Sequence, residues 1–135
     1  MRGAFLAAAF GAVLVLSAHA DQDSRLEWMS AADLRTEFYG VKLSGFLDEA
    51  QINWSECIDP DGRTLYQFMG VTDEGRLSIT EEGEACFRYD TGPSCFRVAR
   101  LGDKGYWLDG GQHGGSFVVT SVRKNVTACA PEMAI

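Results

Sequence analysis

The chain is short of positive charge and shorter still of histidine: 12 Lys and Arg stand against 19 Asp and Glu, with only 2 His. A formal net charge of −7 repels phosphate backbones and anionic membrane surfaces, which sets nucleic-acid binding and electrostatic membrane docking aside. It names no partner, because net charge also serves solubility. No Cys-x-x-Cys pair occurs, so a thioredoxin-like redox site has no support. The cysteines are spaced more widely than the roughly two to four residues that separate paired zinc ligands. No metal and no cofactor are therefore expected. The longest apolar run, Phe5 to Leu16, falls well short of the roughly 20 residues that span a bilayer, and no stable membrane insertion is expected.

What the first residues do contain is an export pattern. Arg2 precedes the apolar run, and Ser17-Ala18-His19-Ala20 follows with small residues at Ala18 and Ala20. This positive, apolar, small-x-small order predicts a signal peptide over 1–20, a single domain over 21–135, and a periplasmic or secreted product.

Ser30 to Asp33 has the spacing of a capping box, Leu34 and Phe38 share one helical face, and Gly40 follows, so one short helix is expected over 31–38. From Val41 the period changes to two. Strands are expected at 41–47, 50–58, 63–71, 76–80, 85–89, 95–101, 105–109 and 116–124. Turn chemistry punctuates them at Asp59-Pro60-Asp61-Gly62, Thr72-Asp73-Glu74-Gly75, Glu81-Glu82-Gly83, Asp90-Thr91-Gly92-Pro93 and Gly102-Asp103-Lys104-Gly105. Short strands with brief connections predict a mainly β fold, an antiparallel up-and-down meander. Eight strands suffice to close a barrel and remove exposed edges; two packed sheets in a sandwich are the alternative.

Four cysteines in an exported chain suggest two disulfides, with three possible connectivities. Counting outward from a turn between Asp90 and Thr91 places Cys86 opposite Cys95, which favours that bridge and leaves Cys57 to pair with Cys129.

The stretch Gly75-Arg76-Leu77-Ser78-Ile79, then Gly83-Glu84-Ala85-Cys86-Phe87-Arg88-Tyr89, then Gly92-Pro93-Ser94-Cys95-Phe96-Arg97-Val98 resembles small exported proteins of alphaproteobacteria grouped as domains of unknown function. The similarity covers most of 30–123; Leu77 stands where such proteins often carry Trp. The resemblance implies a periplasmic, lipocalin-like β-barrel and no catalytic residues.

Five side chains are candidates for ligand binding. Glu56, Arg100 and Arg123 share the parity of inward apolar residues; turned inward they would meet a polar or anionic ligand at a barrel mouth, but such residues more often sit at strand ends and reach solvent, which is the favoured reading. His113 sits in the glycine-rich run 110–115, which reads more simply as a hairpin connection than as a phosphate loop. Trp54 belongs to an aromatic set, with Tyr66, Phe68, Phe87, Tyr89, Phe96, Tyr106, Trp107 and Phe117, that could line a hydrophobic pocket but is more simply expected to fill so small a barrel. Asp59-Pro60-Asp61-Gly62 lacks the rest of an EF-hand and reads as a turn. Asn125-Val126-Thr127 matches a glycosylation sequon of little weight after a bacterial leader. The expectation is a non-catalytic accessory module that holds a small ligand or an envelope partner. The alternatives are an inhibitor-type or envelope-interaction protein acting through its loops and, third, a hydrolase using His113.

Overall fold

The structure, a computed structural model, describes residues 26–103 and 105–130 together with Gly11. The expected signal peptide therefore lies outside the described residues but for Gly11. In chain order the elements are β1 (Glu27–Trp28), α1 (Ala31–Glu37), β2 (Val41–Leu47), β3 (Asn53–Ile58), β4 (Arg63–Phe68), β5 (Val71–Ile79), β6 (Glu84–Tyr89), β7 (Gly92–Arg100), β8 (Tyr106–Asp109), α2 (Gly111–Gly114) and β9 (Ser116–Arg123). Strands β2 to β9 pair antiparallel, each with the next, and β9 pairs back with β2. The result is a closed eight-stranded up-and-down barrel of lipocalin-like architecture, with β1 as an added strand; the sandwich alternative falls away. Closure gives every strand of the meander two partners, which removes open edges.

One expected turn is displaced. The chain turns at Met69-Gly70, where both residues have positive φ (51° and 78°), and not at Thr72 to Gly75. Two successive left-handed residues match the twist of the flanking strands. Thr72 to Gly75 accordingly lie inside β5, and the register sets Phe68 opposite Val71, Tyr66 opposite Asp73 and Leu65 opposite Glu74. A turn-rich composition lost here to strand pairing. The expected strand 63–71 ends at Phe68, the expected strand 76–80 begins earlier, at Val71, and Asp73 shares a face with Tyr66.

The helix forms as its sequence directs. The Ser30 side chain accepts from the Asp33 backbone N–H, and the Asp33 carboxylate accepts from the Ser30 N–H. These bonds satisfy two backbone donors at the helix start and hold the Asp33 carboxyl below its ordinary pKa. Leu34 and Phe38, both wholly buried, plug one end of the barrel beside Met29. The strand ends at Val41, Ile58, Ile79, Tyr106 and Arg100 belong to this closed end. The opposite end carries the tight turns Met69-Gly70 and Asp90-Thr91 and the β8–β9 connection.

Leu77, Ala85, Phe87, Phe96, Val98, Leu108 and Val119 face the interior, as alternation requires. A smaller cluster lies outside the barrel wall. Leu65 packs there with Val126 beneath the C-terminal segment, which the Cys57–Cys129 disulfide pins down. Cys86 and Cys95 stand directly opposite in the β6–β7 ladder and are also bonded. Both expected bridges are present.

Candidate functional site

Toward the open end the interior is not filled. A cavity of about 240 Å³ lies between the aromatic side chains of β3, β4, β6, β7 and β9. The expectation that the aromatics pack the barrel solid is corrected here. Trp54 meets Phe117 edge-on at 5.3 Å, and Phe117 meets Phe96 edge-on at 5.5 Å. Tyr66 lies 6.0 Å from Tyr89 and 6.4 Å from Trp54, centroid to centroid. These rings brace one another around a space instead of collapsing into it.

Glu56 reaches the cavity from β3 and is only 3% exposed. The Tyr89 hydroxyl donates to its Oε1 at 2.8 Å. That bond depends on a glycine two strands away. A side chain at Gly75 would place its Cβ 2.6 Å from a Tyr89 ring carbon. Its absence lets the ring lie across β5 toward β3. Burial raises the Glu56 pKa to about 8, with the negative field of Asp73 adding to the rise and the Tyr89 and Thr64 hydroxyls opposing it. Glu56 is thus mainly protonated at neutral pH. Burial and the same two carboxyls push Tyr66 up to about 12, and they push Tyr89 up as well, together with its bond to Glu56.

Asp73 stands exposed on β5 and lines the mouth. The Trp54 indole N–H is buried without a hydrogen-bond partner, although the ring lines the cavity. Among the described residues no Lys, Arg or His lines this space. The cavity thus combines apolar rings, two carboxyls and tyrosine hydroxyls. It can surround a small molecule and hydrogen-bond its polar end.

Of the five sequence candidates, the structure brings Trp54 and Glu56 together here. Arg100 is at the closed end, bonded to Glu37 of α1 and to Glu27 of β1 at 3.1 Å, with Asp33 at 3.8 Å. Arg123 is exposed on the outer wall. The β2–β9 register shifts between Ser44 and Gly45, pairing Ser44 with Ser121 but Gly45 with Val119. Thr120 is the extra residue, and this bulge reverses the parity beyond it, so Val122 packs on the core and Arg123 turns out. His113 falls on α2, in the β8–β9 connection, and its side chain lies outside the described residues. The expected anion-greeting set is therefore dispersed, and the cavity keeps only its acid. Asp73, Tyr66 and Tyr89 complete the site without having been singled out as ligand-binding. Counting the ladder outward from Met69-Gly70 would have found Asp73 opposite Tyr66.

Comparison of the chain with protein-family models, with curated proteins and with solved structures finds no match.

Proposed function

We propose that this protein is an exported, periplasmic binding module that holds a small ligand in the open end of its barrel and performs no catalysis on it. The observation that carries the proposal is the 240 Å³ cavity in which a buried, hydrogen-bonded Glu56 faces apolar rings. Small-molecule sites combine mostly apolar walls with a few placed polar groups, and the mouths of β-barrels are a common place for them. The volume lies below the range of drug-sized pockets, roughly 300–1,000 Å³, and suits a smaller molecule. The two disulfides are compatible with an oxidising compartment outside the cytosol. The export pattern and the resemblance to small exported alphaproteobacterial proteins support the periplasm in the same sense.

Native mass spectrometry of the protein purified from its own periplasm tests this proposal. A reproducible extra mass of small-molecule size, lost in Trp54→Ala, is the expected result. A bare chain mass at every preparation would overturn it.

A second reading is favoured by the β4–β5 turn. Met69 and Val71 are 71% and 58% exposed at the rim of the open end. Such a tip would suit an envelope-protein partner. Co-purification of a protein lost in Met69→Ser, without a bound small molecule, would select this reading.

A further inference from the structure

We infer that the cavity takes a small organic cation, a protonated primary amine on a short apolar body, with its ammonium group at Glu56. The inference rests on the small-ligand proposal and names the class of ligand.

The first support is a contrast within the molecule. Among the described residues the barrel contains two glutamate–tyrosine hydrogen bonds. At the closed end Tyr106 donates to Glu37 at 3.0 Å, and the same Glu37 carboxylate is bonded by Arg100. At the open end Tyr89 donates to Glu56 at 2.8 Å, and among the described residues no cation lines the surrounding cavity. A carboxyl removed from water ionises readily only when a positive partner comes with it. The closed end supplies that partner from the chain. The open end has, in the same relation to its carboxyl, a space.

Size and surface agree. Allowing about 30 Å³ for a water-sized group, the cavity holds about eight non-hydrogen atoms. Trp54, Tyr66 and Tyr89 offer aromatic rings, which attract cations through their faces. Asp73 adds a second negative group at the mouth, and the net charge of −7 draws cations toward the molecule. Trp54 itself lines the cavity and is only 5% exposed. An anionic ligand would meet two carboxyls and no cation.

Binding an ammonium group favours the ionised form of Glu56, so a proton leaves the protein as the amine enters. The other groups facing Glu56 are Tyr66 from β4, Asp73 from β5 and Tyr89 from β6, together with the neutral Thr64 hydroxyl. Both tyrosines are held protonated, and the buried Glu56 is the group that releases the proton. Amine affinity should therefore fall as the pH drops from about 8 toward 6.

The experiment is isothermal titration calorimetry of the full chain with benzylamine, benzyl alcohol and benzoate, which share a ring and differ in the charge of the polar end. The titration is done at pH 7 in two buffers of different ionisation enthalpy. The expected result is benzylamine bound at least 10-fold more tightly than the alcohol, with benzoate weakest and a buffer-dependent heat that reports proton release. Glu56→Gln should lose at least 10-fold in amine affinity and the proton release with it; Asp73→Asn, at an exposed position, should lose a few-fold and keep the release. Benzoate or benzyl alcohol bound as tightly as the amine would overturn the cation inference and leave the small-ligand proposal standing. Failure of all three probes, joined to a bare mass in the native spectrum, would remove both.

Discussion

The two ends of the barrel solve one electrostatic problem in opposite ways. At the closed end α1 lays Leu34 and Phe38 over the core and brings Glu37 to Tyr106 and Arg100. Glu27 and Asp33 join the same arginine, so the cluster carries its own countercharge. At the open end Glu56 is more deeply buried than Glu37 and has a tyrosine but no arginine. The closed end is an anchoring arrangement, complete within the chain. The open end tolerates a carboxyl whose ionised form is disfavoured, and it keeps a cavity beside it. Features that cost stability without a structural return tend to mark functional sites. The difference between the ends is thus the main reason to place function at the open one.

The largest expected effect comes from Glu56→Gln. Below about pH 4.5 Glu56 is protonated in both the folded and unfolded chain and adds no pH dependence. Between 4.5 and about 8 the folded chain holds a proton that the unfolded chain has released, so its contribution to stability falls as pH rises. The accumulated loss is roughly 3–5 kcal/mol by pH 8. Glutamine keeps an oxygen for the Tyr89 hydroxyl and removes the titration. Urea unfolding should show the variant gaining most of that difference over the wild type at pH 8 and almost none at pH 4.5. An equal gain at both pH values would mean that Glu56 is not held protonated by burial.

Arg100→Met tests the other end and should have the opposite sign. It leaves Glu37 half-buried without its cation beside Glu27 and Asp33, at a cost of about 2 kcal/mol at pH 7. A stabilised Arg100→Met would erase the contrast between the ends.

The tyrosines sharpen it further. Tyr89→Phe removes a donor from a buried carboxyl and should cost about 1–2 kcal/mol in thermal or urea unfolding. Tyr106→Phe leaves Glu37 its arginine and should cost about 0.5–1 kcal/mol. The smallest effects concern the rims. Ser30→Ala removes the α1 cap at the closed end and should lower stability by about 1 kcal/mol. Met69→Ser on the open rim should change it by less than about 0.5 kcal/mol, because the side chain is mostly in water.

Much of this architecture was legible in the residues, and the misses have local causes. The Ser30–Asp33 cap, the Asp90-Thr91 hairpin and its Cys86–Cys95 bridge follow from short-range spacing, which backbone geometry converts directly into structure, and the Cys57–Cys129 bridge then follows by elimination. The displaced β4–β5 turn does not, because Met is a poor marker of the left-handed conformation that Met69 adopts, while Thr72 to Gly75 has turn composition in a strand position. Parity alone placed Arg123 inward, and its outward position, the favoured strand-end reading, comes from a single-residue bulge at Thr120 that inverts the period-two count and has no clear signature in the side chains beside it. The site suffered most. Glu56 and Trp54 were identified by parity, yet they were grouped with Arg100 and Arg123, which the barrel sends elsewhere.

By itself the amino-acid sequence determined the mainly β meander, the short capped helix, the Cys86–Cys95 hairpin bridge and the acidic balance. Each arises from neighbours in the chain or from composition alone. Only the tertiary structure decided that the barrel closes, that its aromatics surround a space instead of filling it, and that Glu56 and Glu37 have such different company. Those outcomes depend on which side chains meet across strands far apart in sequence. Gly75 makes room for Tyr89, Tyr89 reaches Glu56, and α1 carries Glu37 to Arg100. Whether a buried carboxyl has a cation beside it is a property of that packing, and no local pattern in the chain reports it.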